Sequence, residues 1–456
     1  MRYISTRGET APMGFQDAII TGLAPDGGLL LPERIPDVSA RLSDWQGLGF
    51  VELACELMGC FIDDIPDTDL RALVSDAYAS FDHPDIAPIV KVGELQILEL
   101  FHGPTLAFKD IALQFLGQLF DYTLQQRGGR LSIIAATSGD TGSAAIAGVA
   151  GKANIDIAVM FPQGRVSRLQ QLQMTTVAAG NVHCLAVAGS FDDCQSLMKQ
   201  SFADLALKER YHLGAVNSVN WARVLAQIVY YAYAALRADE GNGVNISVPT
   251  GNFGNIFAGF VAKKMGLPIN RLILGTNDND ILSVFFNTGD YRRGQVHHTI
   301  SPSMDIQVAS NFERYLYYAL GESGAAVQRF MQAFADDGQA SFPVEQIASG
   351  PITAVAIDTP TTLATIKQVH AQTGYVLDPH TAVGVAAAKQ FGYGDPTVCI
   401  ATAHPAKFPE SVAPIVGDSH AHHPRLDRLA NLPERYTELP ATPDALLGFI
   451  EASFTQ

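Results

Sequence analysis

Short β-branched runs alternate with helical patterns of apolar residues over residues 131–402. A turn rich in Gly, Asp or Asn follows each run, and apolar positions then recur at helical spacing. The predicted strands are Leu131–Ala136, Ile155–Met160, Val182–Val187, Val244–Val248, Arg271–Gly275 and Thr397–Ala401. Strands that alternate with helices predict parallel βαβ units with helices on both faces of the sheet, so the predicted fold class is α/β.

The two ends of the chain follow other patterns. Residues 1–90 combine turn signals such as Ala24–Gly28 with helical stretches, which indicates a separate N-terminal region. After Pro409 the chain becomes rich in Pro and His, and Thr442 with Pro443 then forms a start signal for a short apolar helix. We therefore expect additional segments on both sides of the α/β part.

Composition and charge exclude several classes of protein. Of the 456 residues, 47% are apolar and 17% are charged, which excludes a disordered chain. The net charge of −16 argues against binding to nucleic acid or to a membrane surface. No apolar run approaches the roughly 18 residues of a membrane span, and the N-terminus lacks the hydrophobic stretch of a signal peptide. We expect a cytoplasmic protein.

The cysteines indicate neither a metal centre nor a disulfide framework. They are widely spaced and form no Cys-x-x-Cys pair, which predicts small buried thiols in a reducing compartment. They are Cys55, Cys60, Cys184, Cys194 and Cys399. No metal site is predicted.

Gly251–Asn255 is a candidate anion-binding turn between the strand ending at Val248 and an apolar helix. Glycines at such a turn let backbone N–H groups converge on an anion, and the helix N-terminus adds its positive end. The segment matches neither the Walker pattern nor the dinucleotide fingerprint, so ATP and NAD are not supported. Taken alone, it fits a phosphate cradle and an ordinary tight turn equally well.

Lys109 is a candidate nucleophile because it lies in the apolar segment Leu106–Leu113. One outcome for such a lysine is that its side chain extends to the surface, which is the more common case. The other is desolvation, which lowers the pKa of the amine and suits it to Schiff-base formation with a pyridoxal aldehyde.

The turn Thr137–Gly142 follows a predicted parallel strand and places Ser138 and Thr141 on either side of Asp140. Ligands bind outside the carboxyl ends of parallel strands, so the position favours a binding site. Asp140 also fits a helix N-cap, and its spacing alone favours that interpretation.

Two further polar segments are candidates for ligand contacts. In Asn217–Arg223 a guanidinium suits a dianionic phosphate, although a helix start with an exposed arginine is the simpler interpretation of this segment alone. Thr402–Lys407 offers a hydroxyl, an imidazole and an ammonium after the strand ending at Ala401. An ordinary polar loop is the alternative there.

Together, these five segments resemble the threonine synthase family, in its longer branch with an N-terminal domain. The similarity runs from Tyr3–Gly8 through Gly22–Gly28 to His404–Phe408 and covers most of the chain. His102–Asp110 and Ser303–Ile306 also resemble family segments. The N-terminal segment distinguishes this family from the related dehydratases and cysteine synthases, which lack it.

The resemblance implies the tryptophan synthase β-like fold of pyridoxal 5′-phosphate (PLP) enzymes, fold type II, with two α/β domains and an N-terminal region. It implies an N-terminal domain at 1–90, a large PLP-binding domain at 91–130 and 225–410, a small domain at 131–224 and a C-terminal extension at 411–456. The implied cofactor is PLP and the implied partner is the small-molecule substrate O-phospho-L-homoserine. A monomer and a homodimer both remain open.

The resemblance also implies roles for individual residues. Lys109 matches the Schiff-base lysine. Thr402 matches the hydroxyl residue at the pyridine nitrogen, and the PLP-phosphate loop is matched by Gly251, Asn252, Phe253, Gly254 and Asn255. Substrate contacts are implied at the phosphate for Asn217, Ser218 and Arg223, and at the amino-acid carboxylate for Ser138 and Thr141.

Asp140 departs from the shorter members of the family, which carry Asn beside the 3′-oxygen of the cofactor. An ionised carboxylate would repel a phenolate at that position. Either a proton is shared or the carboxylate points elsewhere. The resemblance to the longer branch suggests that Asp is usual there.

The implied reaction converts O-phospho-L-homoserine and water to L-threonine and phosphate, the last step of threonine biosynthesis. It proceeds by γ-elimination of phosphate and β-addition of water, with Lys109 as general base and acid. The alternative function is a serine/threonine dehydratase-like eliminase, with the same cofactor and no phosphate grip. A pseudoenzyme that keeps the fold as a binding module is a third hypothesis, disfavoured by the intact Lys109 and phosphate loop.

Overall fold

A mixed six-stranded sheet forms the larger half of the structure. The computed structural model describes residues 1–137, 139–391 and 396–454. In these residues the sheet has the strand order Ile352–Ala356, Ile269–Thr276, Val244–Pro249, Thr397–Ala401, Leu95–Glu99 and Ile89–Val92. Neighbouring strands are parallel except for the last two, which pair antiparallel. The prediction of parallel βαβ units is therefore confirmed for most of this sheet.

A second sheet, wholly parallel in the described residues, forms the smaller half. Its strand order is Thr437–Pro440, Val182–Ala188, Ile155–Pro162, Leu131–Ala136 and Leu213–Gly214. The edge strand Thr437–Pro440 comes from the predicted C-terminal extension. Leu439 on this strand and Ile450 on the helix Pro443–Ser453 are buried in the same core as Met160. Residues 437–454 are thus part of the smaller half.

The N-terminal region contains a two-stranded antiparallel sheet of Tyr3–Ser5 and Leu30–Pro32. Its helices are Phe15–Thr21, Leu42–Trp45, Phe50–Gly59 and Asp67–Tyr78. The buried Arg314 guanidinium donates two hydrogen bonds to the Leu30 carbonyl, and the Asn220 amide donates one to the Ile19 carbonyl at 2.8 Å. These bonds fix the N-terminal region against the part of the chain that carries the candidate phosphate segments.

Most of the other helices lie between the strands of the two sheets in chain order. Their bounds are Lys109–Arg127, Asp140–Val149, Arg168–Thr175, Phe191–Ala203, Leu205–Arg210, Trp221–Ala238, Gly254–Lys264, Ile281–Thr288, Phe312–Ala319, Gly324–Asp337, Val344–Ala348, Thr359–Thr373, Pro379–Phe391, Pro409–Val416 and Pro424–Asp427. Asp290–Arg292 and Gln339–Ser341 form a small antiparallel pair. None of the helices in the described part of the chain has both the length and the apolar character needed to cross a membrane.

The helix Trp221–Ala238 is buried along nearly its whole length and packs against Lys109–Arg127 and Gly254–Lys264. Arg237 is the one exposed residue of this helix, so the arginine in its first turn is buried like its neighbours. The domain borders given above stay a prediction.

Candidate active site

Lys109 is the first residue of the helix Lys109–Arg127 and lies next to the end of the strand Thr397–Ala401. Leu106 has a positive φ of 60°, and the Phe108 N–H donates a 2.8 Å hydrogen bond to the Thr402 carbonyl. This backbone contact keeps the Lys109 side chain inside the protein, where it is buried. Exposure at the surface is therefore wrong for Lys109, and desolvation is confirmed.

Oδ2 of the Asp140 carboxylate lies 3.3 Å from the Lys109 amine and pairs with it. Burial acts to raise the pKa of Asp140, but the ammonium groups of Lys407 and Lys109 outweigh it and hold that pKa well below its ordinary range. The N-cap interpretation of Asp140 is wrong. The helix Asp140–Val149 starts after Gly139, and the Thr137 hydroxyl accepts hydrogen bonds from the N–H groups of Gly139 and Gly142 instead.

Lys407 contacts the other oxygen of the Asp140 carboxylate, at 3.1 Å. The Gln170 side-chain amide donates to the same oxygen, also at 3.1 Å. Asp140 is thus ionised between two amines. The carboxylate lies among cations, so its negative charge is balanced before any cofactor oxygen approaches.

Ser303 connects this cluster to the opposite wall of the site. Its hydroxyl lies 3.3 Å from the Asp140 carboxylate and 3.5 Å from the Lys109 amine. Its backbone N–H donates to Nε2 of His380 at 3.2 Å, and Nδ1 of His380 lies 3.0 Å from an Asp378 oxygen. The site role of His380 and Asp378 was missed in the sequence because no motif marks them and they meet Ser303 only in the folded chain.

The segment Gly251–Asn255 forms the turn between the strand Val244–Pro249 and the helix Gly254–Lys264. Phe253 has a left-handed φ of 67°, and a Cβ on Gly251 would lie 2.8 Å from the Ser303 carbonyl oxygen. The turn therefore packs tightly against Ser303 and presents the N-terminal N–H groups of the helix.

Thr402 follows the strand Thr397–Ala401 and is buried. Its N–H donates to the Thr381 hydroxyl at 3.1 Å, and that hydroxyl in turn donates to Asp378. The Thr402 hydroxyl itself finds no hydrogen-bond partner within the described residues. It is a buried polar group available to a ligand.

Arg223 lies in the first turn of the helix Trp221–Ala238 and is only 4% exposed, so the interpretation as a water-exposed arginine is wrong. One Nη donates to the Val216 carbonyl at 2.9 Å, whereas Nε has no partner in the part of the chain that the structure describes. Burial lowers the pKa of Arg223 to about 10, and its charge contributes to a lowered pKa of Lys109.

Ser218 is linked to the turn Gly251–Asn255 through the Ser310 hydroxyl. Its hydroxyl is 2.8 Å from the Ser310 hydroxyl, which donates to the Asn252 side chain at 3.3 Å. Asn217 and Thr141 are partly buried, the former one residue before Ser218 and the latter in the first turn of Asp140–Val149. Ser138 lies outside the described residues.

Three of the buried polar groups without partners match groups of PLP or of a phosphorylated substrate. The Asn255 side-chain nitrogen, the Thr402 hydroxyl and the Arg223 Nε are buried donors that no described residue satisfies. The helix N-terminus with the free Asn255 amide can bind an anionic phosphate. The neutral Thr402 hydroxyl can hydrogen-bond a pyridine nitrogen, and the buried Lys109 amine can react with an aldehyde. The residues present thus fit the cofactor that the sequence implied.

Three family models match the chain in order. A model described as "Threonine synthase N terminus" matches residues 2–78, and one described as "Pyridoxal-phosphate dependent enzyme" matches residues 94–338. A third, "Threonine synthase, C-terminal", matches residues 381–450. The cofactor is therefore PLP, as predicted.

Curated relatives match over nearly the full length. The threonine synthase of Pseudomonas aeruginosa is 46% identical over 449 residues, which cover 96% of each chain. The threonine synthase of Saccharomyces cerevisiae is 42% identical, with 90% of this chain and 88% of the yeast chain covered.

Solved structures of threonine synthases have the same fold. A PLP-bound threonine synthase from Brucella melitensis superposes with a TM-score of 0.96 at 44% identity, with all of both chains covered. The yeast threonine synthase gives 0.94 at 39% identity, covering 99% of this chain and 98% of the yeast chain. These matches confirm the predicted PLP fold of type II. The chain therefore belongs to the threonine synthase family of PLP-dependent lyases.

Proposed function

We propose that the chain converts O-phospho-L-homoserine and water to L-threonine and phosphate, with the phosphate leaving from Cγ and water adding at Cβ. The observation that supports this most strongly is the buried Arg223, whose Nε lacks a partner among the described residues. A buried, unneutralised guanidinium suits a dianionic phosphate, whereas a dehydratase acting on serine or threonine has no use for it.

Bound PLP supplies an electron sink for the carbanion that forms when a proton leaves the substrate. Lys109 moves the protons: its amine takes one from Cα, then one from Cβ, and returns protons to the carbons that require them. Burial lowers the pKa of Lys109, so a larger fraction of this amine is neutral, as proton removal requires, than in an exposed lysine.

Arg223, Asn217 and Ser218 hold the substrate phosphate until it leaves, and Ser138 and Thr141 hold the amino-acid carboxylate. The cofactor phosphate is held by the turn of Gly251, Asn252, Phe253, Gly254 and Asn255. With PLP bound, the neutral hydroxyl of Thr402 would hold the pyridine nitrogen and would leave that nitrogen unprotonated. The Lys407 amine, 3.1 Å from the Asp140 carboxylate, balances its charge and so reduces the expected repulsion of a cofactor phenolate.

We also propose a cytoplasmic location, as the sequence predicted. All five cysteines are free thiols, four of them buried, which suits a reducing compartment. The substrate is a small molecule. A monomer and a homodimer remain equal alternatives.

The test is incubation of the PLP-loaded protein with O-phospho-L-homoserine, followed by assays of threonine, phosphate and keto acid. Equal amounts of threonine and phosphate are expected, with turnover abolished in Lys109→Ala. Keto acid in place of threonine would favour the dehydratase-like function. Near-normal turnover in Lys109→Ala would contradict the role of that amine.

A further inference from the structure

Lys407 is fully buried and has three hydrogen-bond acceptors at its amine. They are the Thr105 carbonyl at 2.7 Å, the Gln173 side-chain oxygen at 2.8 Å and the Asp140 carboxylate at 3.1 Å. An ammonium carries three N–H donors. The pocket around Lys407 is therefore complementary to the charged form of this side chain.

Lys109 has a poorer set of acceptors. Its amine lies 3.3 Å from Asp140 and 3.5 Å from the Ser303 hydroxyl, both longer than the contacts of Lys407. One carboxylate thus serves two amines, and its single negative charge balances one ammonium. Burial lowers the pKa of Lys109, and the charges of Lys407 and Arg223 act in the same direction, whereas Asp140 opposes them.

We infer that Lys407 is a positioning residue whose ammonium neutralises the Asp140 carboxylate. Lys109 is then the amine of the pair that releases its proton. Without Lys407, Asp140 would pair with Lys109 alone and hold it as an ammonium, unable to attack an aldehyde or remove a proton. The other cations that face this cluster are Arg223, near Lys109, and His380 when protonated, near Asp140. The inference rests on the proposed role of Lys109.

A purely structural role is the competing explanation, because Lys407 also supports the segment before Lys109. The Thr105 carbonyl accepts from Lys407 and from the Gln173 amide, and the Thr105 N–H and hydroxyl donate to Asp110, next to Lys109. Loss of this support would disturb the segment without changing the charge balance. The test therefore needs a readout that follows the protonation of Lys109.

The experiment measures the rate at which acetic anhydride labels Lys109 in the cofactor-free full-length chain, as a function of pH, by mass spectrometry of the peptide that contains it. Lys407→Met is expected to shift the labelling profile to higher pH and to slow labelling near pH 8 by about tenfold. Lys407→Arg, which keeps the charge, is expected to lie closer to the parent. Lys367→Met, an exposed lysine on the helix Thr359–Thr373, is the matched control and leaves the profile unchanged.

An unchanged labelling profile in a folded Lys407→Met variant would overturn the inference, and so would equal shifts in Lys407→Met and Lys407→Arg. Should Lys407→Met not fold, Lys407→Gln takes its place, because its neutral amide can still donate to the Thr105 carbonyl. Slower labelling of Lys109 in Lys407→Gln than in the parent supports the inference, and equal rates contradict it. Labelling requires neither substrate nor turnover, so failure of the proposed reaction would be seen separately.

Discussion

The Tyr230 phenol donates a 2.6 Å hydrogen bond to the side-chain oxygen of Asn255. Tyr231 donates to the same oxygen at 2.8 Å, so both groups fix the orientation of the Asn255 amide. Its nitrogen is then a buried donor that no described residue satisfies, at the N-terminus of the helix Gly254–Lys264. Two tyrosines of the buried helix Trp221–Ala238 thus fix the orientation of a free donor at the end of the turn Gly251–Asn255.

Asn255→Ala is expected to weaken PLP binding by about 10- to 150-fold, because a hydrogen bond to a charged phosphate contributes roughly 1.5–3 kcal/mol. Tyr230→Phe removes one of the two donors that orient the amide and is expected to weaken binding less. Titration of the cofactor-free chain with PLP, followed by absorbance, measures both dissociation constants. A larger loss in Tyr230→Phe than in Asn255→Ala would contradict this order.

Arg223→Met is expected to raise KM for O-phospho-L-homoserine by about a hundredfold, with a smaller effect on kcat, since phosphate binding precedes its departure. Arg223→Lys is expected to restore only part of the affinity, because a lysine lacks the planar fork of donors. Steady-state kinetics on both variants provide the measurement. Unchanged KM and kcat in Arg223→Met would exclude this residue from the phosphate site.

His404 makes the fold sensitive to acid. Burial lowers the pKa of His404 to about 4, below its ordinary value of 6.5, and its Nδ1 accepts a hydrogen bond from the Ala406 N–H. Stability from a group with a lowered folded pKa is present above the unfolded value and is lost as the pH falls. Between pH 6.5 and 4 the unfolded chain takes up a proton that the folded chain does not, which costs about 3 kcal/mol of stability.

The check is the free energy of unfolding by urea at pH 7.5 and 4.5, compared between the parent and His404→Asn. Asn keeps an acceptor for the Ala406 N–H and does not titrate in this range. The parent is expected to lose more stability on acidification than the variant. Equal losses in both proteins would show that other groups cause the acid sensitivity.

Arg314→Met is expected to lower the free energy of unfolding by about 2–4 kcal/mol. The guanidinium is fully buried and donates to the Leu30 and Val219 carbonyls and to the Asn311 side chain, so its loss leaves buried acceptors unsatisfied. Denaturant unfolding measures the effect, and the surface variant Arg329→Met is a control. A change below about 0.5 kcal/mol would contradict the anchoring role of Arg314.

The sequence predicted six of the strands in the two sheets, because their β-branched runs are bounded by turns rich in Gly, Asp or Asn. It did not predict Ile89–Val92, Leu95–Glu99, Leu213–Gly214 and Ile352–Ala356. Thr437–Pro440 was not predicted: it is a short edge strand with mostly exposed residues, and only Leu439 is buried. Local patterns carry little signal for such an edge.

The candidate site could be predicted where motifs and a family resemblance exist, and not where charges meet only in the fold. Spacing favoured Asp140 as an N-cap, since no local signal shows that Thr137 takes that role. The contact between Lys407 and Asp140 joins residues far apart in the chain. The same holds for His380 and Ser303. Contacts of this kind form only when distant segments of the chain pack together.

The most direct test of the account is turnover of O-phospho-L-homoserine in ¹⁸O-labelled water, with mass spectrometry of both products. Release of phosphate from Cγ with water added at Cβ predicts one ¹⁸O atom in each threonine and none in the phosphate. Label in the phosphate, or threonine without label, would contradict the proposed reaction.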